Sequence, residues 1–326
     1  MNRYLAASIV LATASLLFTQ PVSAQQVAWP TKPVTFVVPF AAGGSTDALA
    51  RAIAKKVSSQ WGQPVLIDNR PGAGTTVGTA FVARAPADGH TVLFANAPLV
   101  ITQYAYANLN YDGRRDFAPV TLLTSSPLLV TVNTAKSIYP NLNALVEAAK
   151  KSPGNVSYGT PGNGSLPHLA VELFRQKFGI DLIHVPYRGG GPAVIDLAGG
   201  QLQFMFASPI EVSEQIKSGR LAPIGVTSRK RLDAFPNVPT AIEQGFADYE
   251  AYAWFGVVVP VRTPQAVVDR LSADIVATLN STDIAAPLRA QGSDIHGTSP
   301  KEFGEFLEKE HGRWAKAVKE ANLKVD

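Results

Sequence analysis

The hydrophobic pattern of this chain switches repeatedly between short apolar runs suited to strands and the 3.6-residue period of helices. Residues 34–40 form a short β-branched apolar run, and 47–60 then carry Leu49, Ile53 and Val57 at helical spacing. A strand at 65–68 leads through the glycine-rich PGAG of 71–74 into a helix over 76–84, and 91–95 reads as the next strand. This βα order predicts a mostly parallel sheet covered by helices.

A second series begins after the YDG of 111–113. Residues 120–132 are a long apolar run interrupted by the SSP of 125–127, a length suited to a strand that crosses between domains. The pattern then predicts a helix at 142–151, a strand at 156–159, a helix at 167–178, a strand at 183–186 and a short helix at 192–198. Strands at 204–207 and 223–226 complete the series, and 252–259 reads as another long strand before helices at 264–280, 282–291 and 300–321. Two α/β units joined by two long crossings predict a hinged pair of lobes, with the last helices returning to the first. Lobe 1 is expected over 25–123 and 251–326, lobe 2 over 124–250, with a hinge near Thr124 and Ala251. There is no fixed-period repeat and no low-complexity linker, which argues against tethered independent modules.

The first residues stand apart from this pattern. Arg3 precedes an apolar run at 5–18, and Val22-Ser23-Ala24 is a small-x-small cleavage site, the layout of a secretory signal peptide over 1–24. The run is too short to span a bilayer, and no later stretch approaches ~18 consecutive apolar residues. The mature chain, from Gln25, is therefore expected in the periplasm. A composition 46% hydrophobic and 17% charged suits a globular protein with a sizeable core. The absence of cysteine excludes disulfides, thiolate metal sites and a cysteine nucleophile. The formal charge of +4 is scattered and includes Arg3, so nucleic acid is not an expected partner. The single basic run, RKR at 229–231, reads as a solvated turn.

Open sheets bind ligands beyond the carboxyl ends of their strands, where glycine-rich loops lead into helices. Four loops fit that description: AAGGSTD at 41–47, GAGTTVG at 72–78, GTPGNGS at 159–165 continuing to Pro167 and His168, and YRGGGP at 187–192. Helix starts offer unpaired N–H groups and a positive dipole end, and glycine lets a ligand approach the backbone. Each loop alone is equally a tight turn, whereas four at one edge point to a carboxylate or phosphate site. Nucleotide motifs fit poorly. The third glycine of Gly72-x-Gly74-x-x-x-Gly78 comes one residue late, and Gly159-x-x-x-x-Gly164-Ser165 lacks the lysine of a P-loop.

Gly-x-Ser-x-Gly occurs nowhere, and His90, His168, His184, His296 and His311 show no metal-ligand spacing. Ser45 and Ser165 fall where helix N-caps are expected. Ser165 and His168 leave two readings: a cap with a ligand donor, which is favoured, or an exported serine hydrolase. His184 reads as a core histidine within its strand, and Asp47 as a residue ordering the first turn of its helix. Arg188 is left open between a carboxylate partner and solvent.

From the WPTKP of 29–33 to the last helix, the chain resembles the Bug family. These are the extracytoplasmic solute-binding receptors of tripartite tricarboxylate transporters. The resemblance is carried by VVPFAAGGSTD at 37–47, NRPGAG at 69–74, ADGHT at 87–91, YGTPGNGS at 158–165 with His168, PYRGGGPA at 186–193 and NVPT at 237–240. It implies the α/β class and a type II periplasmic-binding-protein fold, two α/β lobes joined by two crossing strands with a ligand cleft between them. The cleft would close on a small monocarboxylate, dicarboxylate or aromatic carboxylate. First-lobe contacts implied are Ala42, Gly43, Ser45, Thr46 and Asp47, with Thr75, Thr76, Asn96 and Ala97. Second-lobe contacts implied are Gly159, Thr160, Ser165, His168, Tyr187, Ala207 and Ser208. Asn96, His168, Tyr187 and Ser208 are expected toward the distal end of the ligand. Neutral donors would hold the charge, each worth roughly 1.5–3 kcal/mol to an ionised partner. The resemblance implies no catalysis, cofactor or metal. It implies a monomer whose partners are the membrane subunits of a tripartite tricarboxylate transporter, or a sensor.

Overall fold

The first β-branched run forms strand β1 (Val34–Val38), and the chain then enters helix α1 (Ser45–Trp61). Leu49, Ile53 and Val57 all lie on the buried face of α1, as their spacing requires. Strand β2 (Val65–Asn69), helix α2 (Thr76–Ala83), strand β3 (Thr91–Asn96), helix α3 (Pro98–Ala105) and the long strand β4 (Phe117–Pro127) follow. The computed structural model describes residues 28–320. The signal peptide expected over 1–24 lies outside the described residues.

At Leu128 the chain changes sheet. Strand β5 (Leu129–Asn133) opens the second series, with helix α4 (Leu142–Lys151), strand β6 (Ser157–Thr160), helix α5 (Leu166–Phe178) and strand β7 (Ile183–Pro186). Helix α6 (Gly190–Ala198), strand β8 (Phe204–Ala207), helix α7 (Pro209–Lys217) and strand β9 (Leu221–Val226) complete it. Strand β10 (Tyr252–Pro260) carries the chain back. Helices α8 (Gln265–Leu279) and α9 (Thr282–Ala290), strand β11 (Asp294–Ile295) and helix α10 (Pro300–Glu320) end the described chain. The hydrophobic pattern does not predict α3 or α7. Both begin at a proline immediately behind a strand, a first-turn position that proline tolerates because its missing N–H has no helical partner there.

Among the described residues the strands form a six-stranded sheet, β11-β4-β10-β3-β1-β2, and a five-stranded sheet, β7-β6-β8-β5-β9. β1 runs parallel to β2 and β3, and β6 runs parallel to β7 and β8. The crossing strands do not: β10 is antiparallel to β3 and β4, and β5 is antiparallel to β8 and β9. The expected parallel order thus holds for the βα units alone. β10 enters its sheet from the side where β3 ends, Phe255 facing Asn96, so it must run against β3.

Each sheet has its own aromatic core. Phe36 meets Phe94 at 4.9 Å beside the first sheet. In the second, Phe174 gathers Phe178 at 4.7 Å, Tyr249 at 5.0 Å and Phe246 at 5.2 Å. Helix α10 lies on α3 and β4, where Trp254 and Trp314 both donate their indole N–H to Glu310 at 3.0 Å. The last helix therefore braces the first sheet, and two α/β lobes joined by crossing strands is the architecture observed.

Candidate functional site

Helix starts from both sheets meet around one cavity of ≈ 40 Å³. Its walls include Gly44, Ser45 and Thr46 where α1 begins, Ala97 and Pro98 at α3, and Ser165, Leu166 and Pro167 at α5. Gly190 at α6 and Ser208 with Glu211 at α7 contribute from the second lobe. Phe40, Asn96, Pro161 and the β10 residues Ala253, Trp254 and Phe255 complete the lining. The N-cap residues of α1, α3, α6 and α7 make no side-chain capping bond. No N-cap side chain therefore satisfies the first-turn N–H groups of these helices, although Glu211 accepts from those of Ser45 and Ser208. Five helix starts give the cavity a positive field although no Lys or Arg lines it.

The lobes touch across this site. The Ala41 N–H donates to the Arg188 carbonyl at 2.8 Å, and the Tyr106 hydroxyl donates to the Asn163 carbonyl at 3.3 Å. A larger outer compartment, ≈ 640 Å³, lies along the loop 71–75 and faces Tyr187, Arg188 and Asn163. In that loop Ala73, Gly74 and Thr75 all take positive φ, 42°, 60° and 83°. For a β-branched residue such as Thr75 this backbone is strained. The buried Thr75 hydroxyl has no hydrogen-bond partner among the described residues.

Glu211 is the only ionisable side chain in the inner lining among the described residues. Burial pushes its carboxyl up to about 7, while the backbone N–H groups of Ser208 and Ser45 pull the other way. Ser208-Pro-Ile-Glu211 has the spacing of a capping box, in which the fourth residue reaches back to the N-cap N–H. Ser45 belongs to the opposite lobe, so this carboxylate spans the starts of α7 and α1.

The residues implied by the resemblance divide into two groups. Ser45, Thr46, Asn96, Ala97, Ser165 and Ser208 line the inner cavity, and Thr75 and Tyr187 line the outer compartment. The Asn96 amide donates to the Thr46 hydroxyl at 3.4 Å, and the Tyr187 hydroxyl donates to Asp196 at 2.6 Å. The others line neither compartment. Ala42 and Gly43 are exposed on the rim, and Thr76 opens α2. Burial pushes the Asp47 carboxyl up, but Arg51, the Gly43 N–H and Asn69 outweigh it and hold it below its usual range. Asp47 is thus tied into its own loop, accepting from Gly43 at 3.0 Å and Arg51 at 2.9 Å. Gly159 packs under Leu202, Ala207 is fully buried, and the Thr160 hydroxyl sits 2.6 Å from His184 Nε2.

His168 stacks on His184 with ring centres 4.1 Å apart. Its Nδ1 accepts from the Gly164 N–H at 3.1 Å, while the Ser165 hydroxyl accepts from the His168 backbone N–H at 3.4 Å. Ser165 is therefore a helix cap, and no nucleophile–base pair joins it to the His168 ring. Burial lowers the pKa of both imidazoles, that of His184 to about 3. Sequence reasoning does not find Phe40, Glu211, Trp254 or Phe255. The S-x-x-E spacing at 208–211 was the one signal for Glu211, and it points first to a helix cap.

Residues 49–323 match the tripartite tricarboxylate transporter family receptor. The chain is 35% identical to Protein BugT of Bordetella pertussis over 328 residues, 100% of this chain and 99% of that one. Among solved structures it is similar to an R. palustris protein with adipate, at 34% identity and TM-score 0.86, covering 91% of this chain and 99% of that one. It is also similar to MatC from Rhodopseudomonas palustris with bound malate, at 29% identity and TM-score 0.85, covering 89% and 100%. Two lobes whose helix starts converge on a cleft define a solute-binding protein. The chain belongs to the receptor family of the tripartite tricarboxylate transporters, whose members are periplasmic. Among the described residues no helix is long and apolar enough to cross a membrane.

Proposed function

We propose that this chain, exported under the signal peptide at 1–24, captures a small carboxylated solute in the periplasm. It presents that solute to the membrane subunits of a tripartite transporter, acts as a monomer and catalyses no reaction. The observation that carries this reading is the convergence of five helix starts, from both sheets, on one cavity. Such a site suits a carboxylate, because open N–H groups and hydroxyls satisfy an anion without a buried cation. The similarity to proteins holding adipate and malate supports the same reading.

Ser45, Thr46, Asn96, Ala97, Ser165 and Ser208 contact the ligand in this proposal. Thr75 and Tyr187 border its path. Ala42, Gly43, Asp47, Thr76, Gly159, Thr160, His168 and Ala207 shape the loops that hold those contacts. The lobes in this proposal are 25–127 with 251–326, and 128–250, since β4 stays in the first sheet to Pro127, four residues past the boundary expected from the sequence, and they close by a hinge at the two crossings. Thermal unfolding of ligand-stripped protein against mono-, di- and tricarboxylates and aromatic acids tests this. A rise in melting temperature with at least one of them is expected, since a ligand of the native state stabilises it by mass action. No rise with any carboxylate would contradict the proposal.

A further inference from the structure

We propose that His168 and His184 are positioning residues that hold loop 160–165 in its binding shape only while both rings are neutral, so that proton uptake by the pair frees the loop and releases solute. This rests on the reading of the cleft as a carboxylate site and adds the proton as its regulator. The loop serves both compartments. Pro161 and Ser165 line the inner cavity, and Gly162 and Asn163 line the outer one. The Asn163 carbonyl also accepts from the Tyr106 hydroxyl of the other lobe at 3.3 Å.

Two imidazoles hold this loop from behind. The Gly164 N–H donates to His168 Nδ1 at 3.1 Å. The Thr160 hydroxyl lies 2.6 Å from His184 Nε2 and accepts from the Gly162 N–H at 3.2 Å. The two rings stack 4.1 Å apart and 12° from parallel, and His184 stacks in turn on Tyr158 at 5.0 Å. A neutral imidazole has one acceptor nitrogen and an imidazolium has none. Protonated His168 would therefore point an N–H at the Gly164 N–H, and a charge on either ring would lie against the face of the other. Burial lowers the pKa of both histidines, and His168 adds to the effect at His184. Glu172, one turn along α5, favours a charge on His168, and Arg175 opposes it. The Glu172 carboxylate is already engaged by the Tyr158 hydroxyl and by Arg175, each at 2.8 Å, and Asp181 lies beyond Arg175 at 3.8 Å. Strands β6 and β8 bring the rings of Tyr158, which burial keeps protonated, and Phe204. The closed loop thus refuses a proton that the opened loop, with its rings in water, accepts near pH 6.5. Acid favours the opened loop by up to about tenfold per pH unit for each ring. Glu211 titrates in the same window, since burial pushes its carboxyl up to about 7, but with the opposite sign: its protonation removes a charge beside an anionic solute.

Hydrogen exchange of the ligand-free protein tests the assignment. After correction for the intrinsic pH dependence of exchange, protection across 160–165 is expected to fall about tenfold or more from pH 7.5 to 5.5. That fall should be steeper than across α4, which reports the fold as a whole. His168→Asn keeps an acceptor near the place of Nδ1, and His184→Gln keeps an amide near that of Nε2. Each should reduce the slope, and the two together should remove it. Titration calorimetry with malate and adipate gives a second readout. Affinity should fall about tenfold or more over the same range in the wild type and less in His168→Asn, where protonation of the acid itself acts equally. A wild-type slope across 160–165 no steeper than that of α4 would overturn the assignment, whether or not a variant folds. So would an unchanged slope in a folded double variant, or an affinity that does not weaken with acid in the wild type. If neither acid binds at pH 7.5, the carboxylate reading is what fails, and the exchange slope alone then decides whether the histidine pair holds the loop.

Discussion

Ser165 shows how much a single residue in this cleft is asked to do. Its hydroxyl caps α5 and also borders the inner cavity, so removing it affects folding and binding by separate routes. Ser165→Ala is expected to lose about 1 kcal/mol of stability, the usual value of an N-cap, read from urea denaturation. Carboxylate affinity should fall modestly in the same variant, and neither form should hydrolyse an ester. His184 makes a second residue-scale prediction. Burial first, and His168 beside it second, depress its pKa to about 3, against about 6.5 in an unfolded chain. Between those values the unfolded state binds a proton that the folded state refuses, so stability falls as pH falls below about 6.5. The buried His168 acts in the same direction. One such group gives a slope of at most about 1.4 kcal/mol per pH unit. Urea midpoints from pH 7 down to 4.5 should show the decline, and His184→Asn should flatten it. Asn96 and Ser208 came only with the family resemblance, whereas Ser45, Thr46 and Ser165 were legible because glycine-rich loops announce helix starts. Glu211 was not, because a glutamate three places beyond a serine is explained locally by capping, and its approach to Ser45 exists only after two distant loops meet.

At the scale of elements, the contact between loop 41–47 and the start of α6 is where closure is decided. A Cβ on Gly191 would lie 3.1 Å from the Gly43 carbonyl carbon, across the cleft. Gly191 sits in α6 without a positive φ, so a larger residue is tolerated by its own backbone and penalised only where the lobes meet. Gly191→Val is therefore expected to weaken ligand binding about tenfold, ~1.4 kcal/mol, by titration calorimetry. The melting temperature of its ligand-free form should stay near that of the wild type; an equal loss in both would contradict an interlobe role. Hydrophobic patterning revealed most elements, β1 and β10 as continuous apolar runs and α1 and α4 by their 3.6-residue period. It missed α3 and α7, short helices separated from the ends of their strands by a single residue. The antiparallel course of β5 and β10 also escaped it, because strand direction is set by where a chain re-enters a sheet and leaves no mark on composition.

At the scale of the whole molecule, two α/β lobes meet around one cavity. Leu128 and the stretch between β9 and β10 are the two passages between sheets, so rotation about them is expected to open the cleft while leaving both aromatic cores intact. Small-angle scattering should show a smaller radius of gyration when a bound carboxylate is added to stripped protein, and no change when a non-ligand is added. The two-lobed plan was legible in the repeated βα order and the two long apolar crossings. The cavity itself was not, since its lining is drawn from nine separate stretches of chain, and only packing decides which residues face it. The most direct measurement is titration calorimetry of unfolded, washed and refolded protein against a panel of small carboxylates. Saturable one-to-one binding of at least one of them, lost when Ser45 and Ser208 are both replaced by bulky leucine, is the result expected. Folded protein that binds none of the panel would contradict the account.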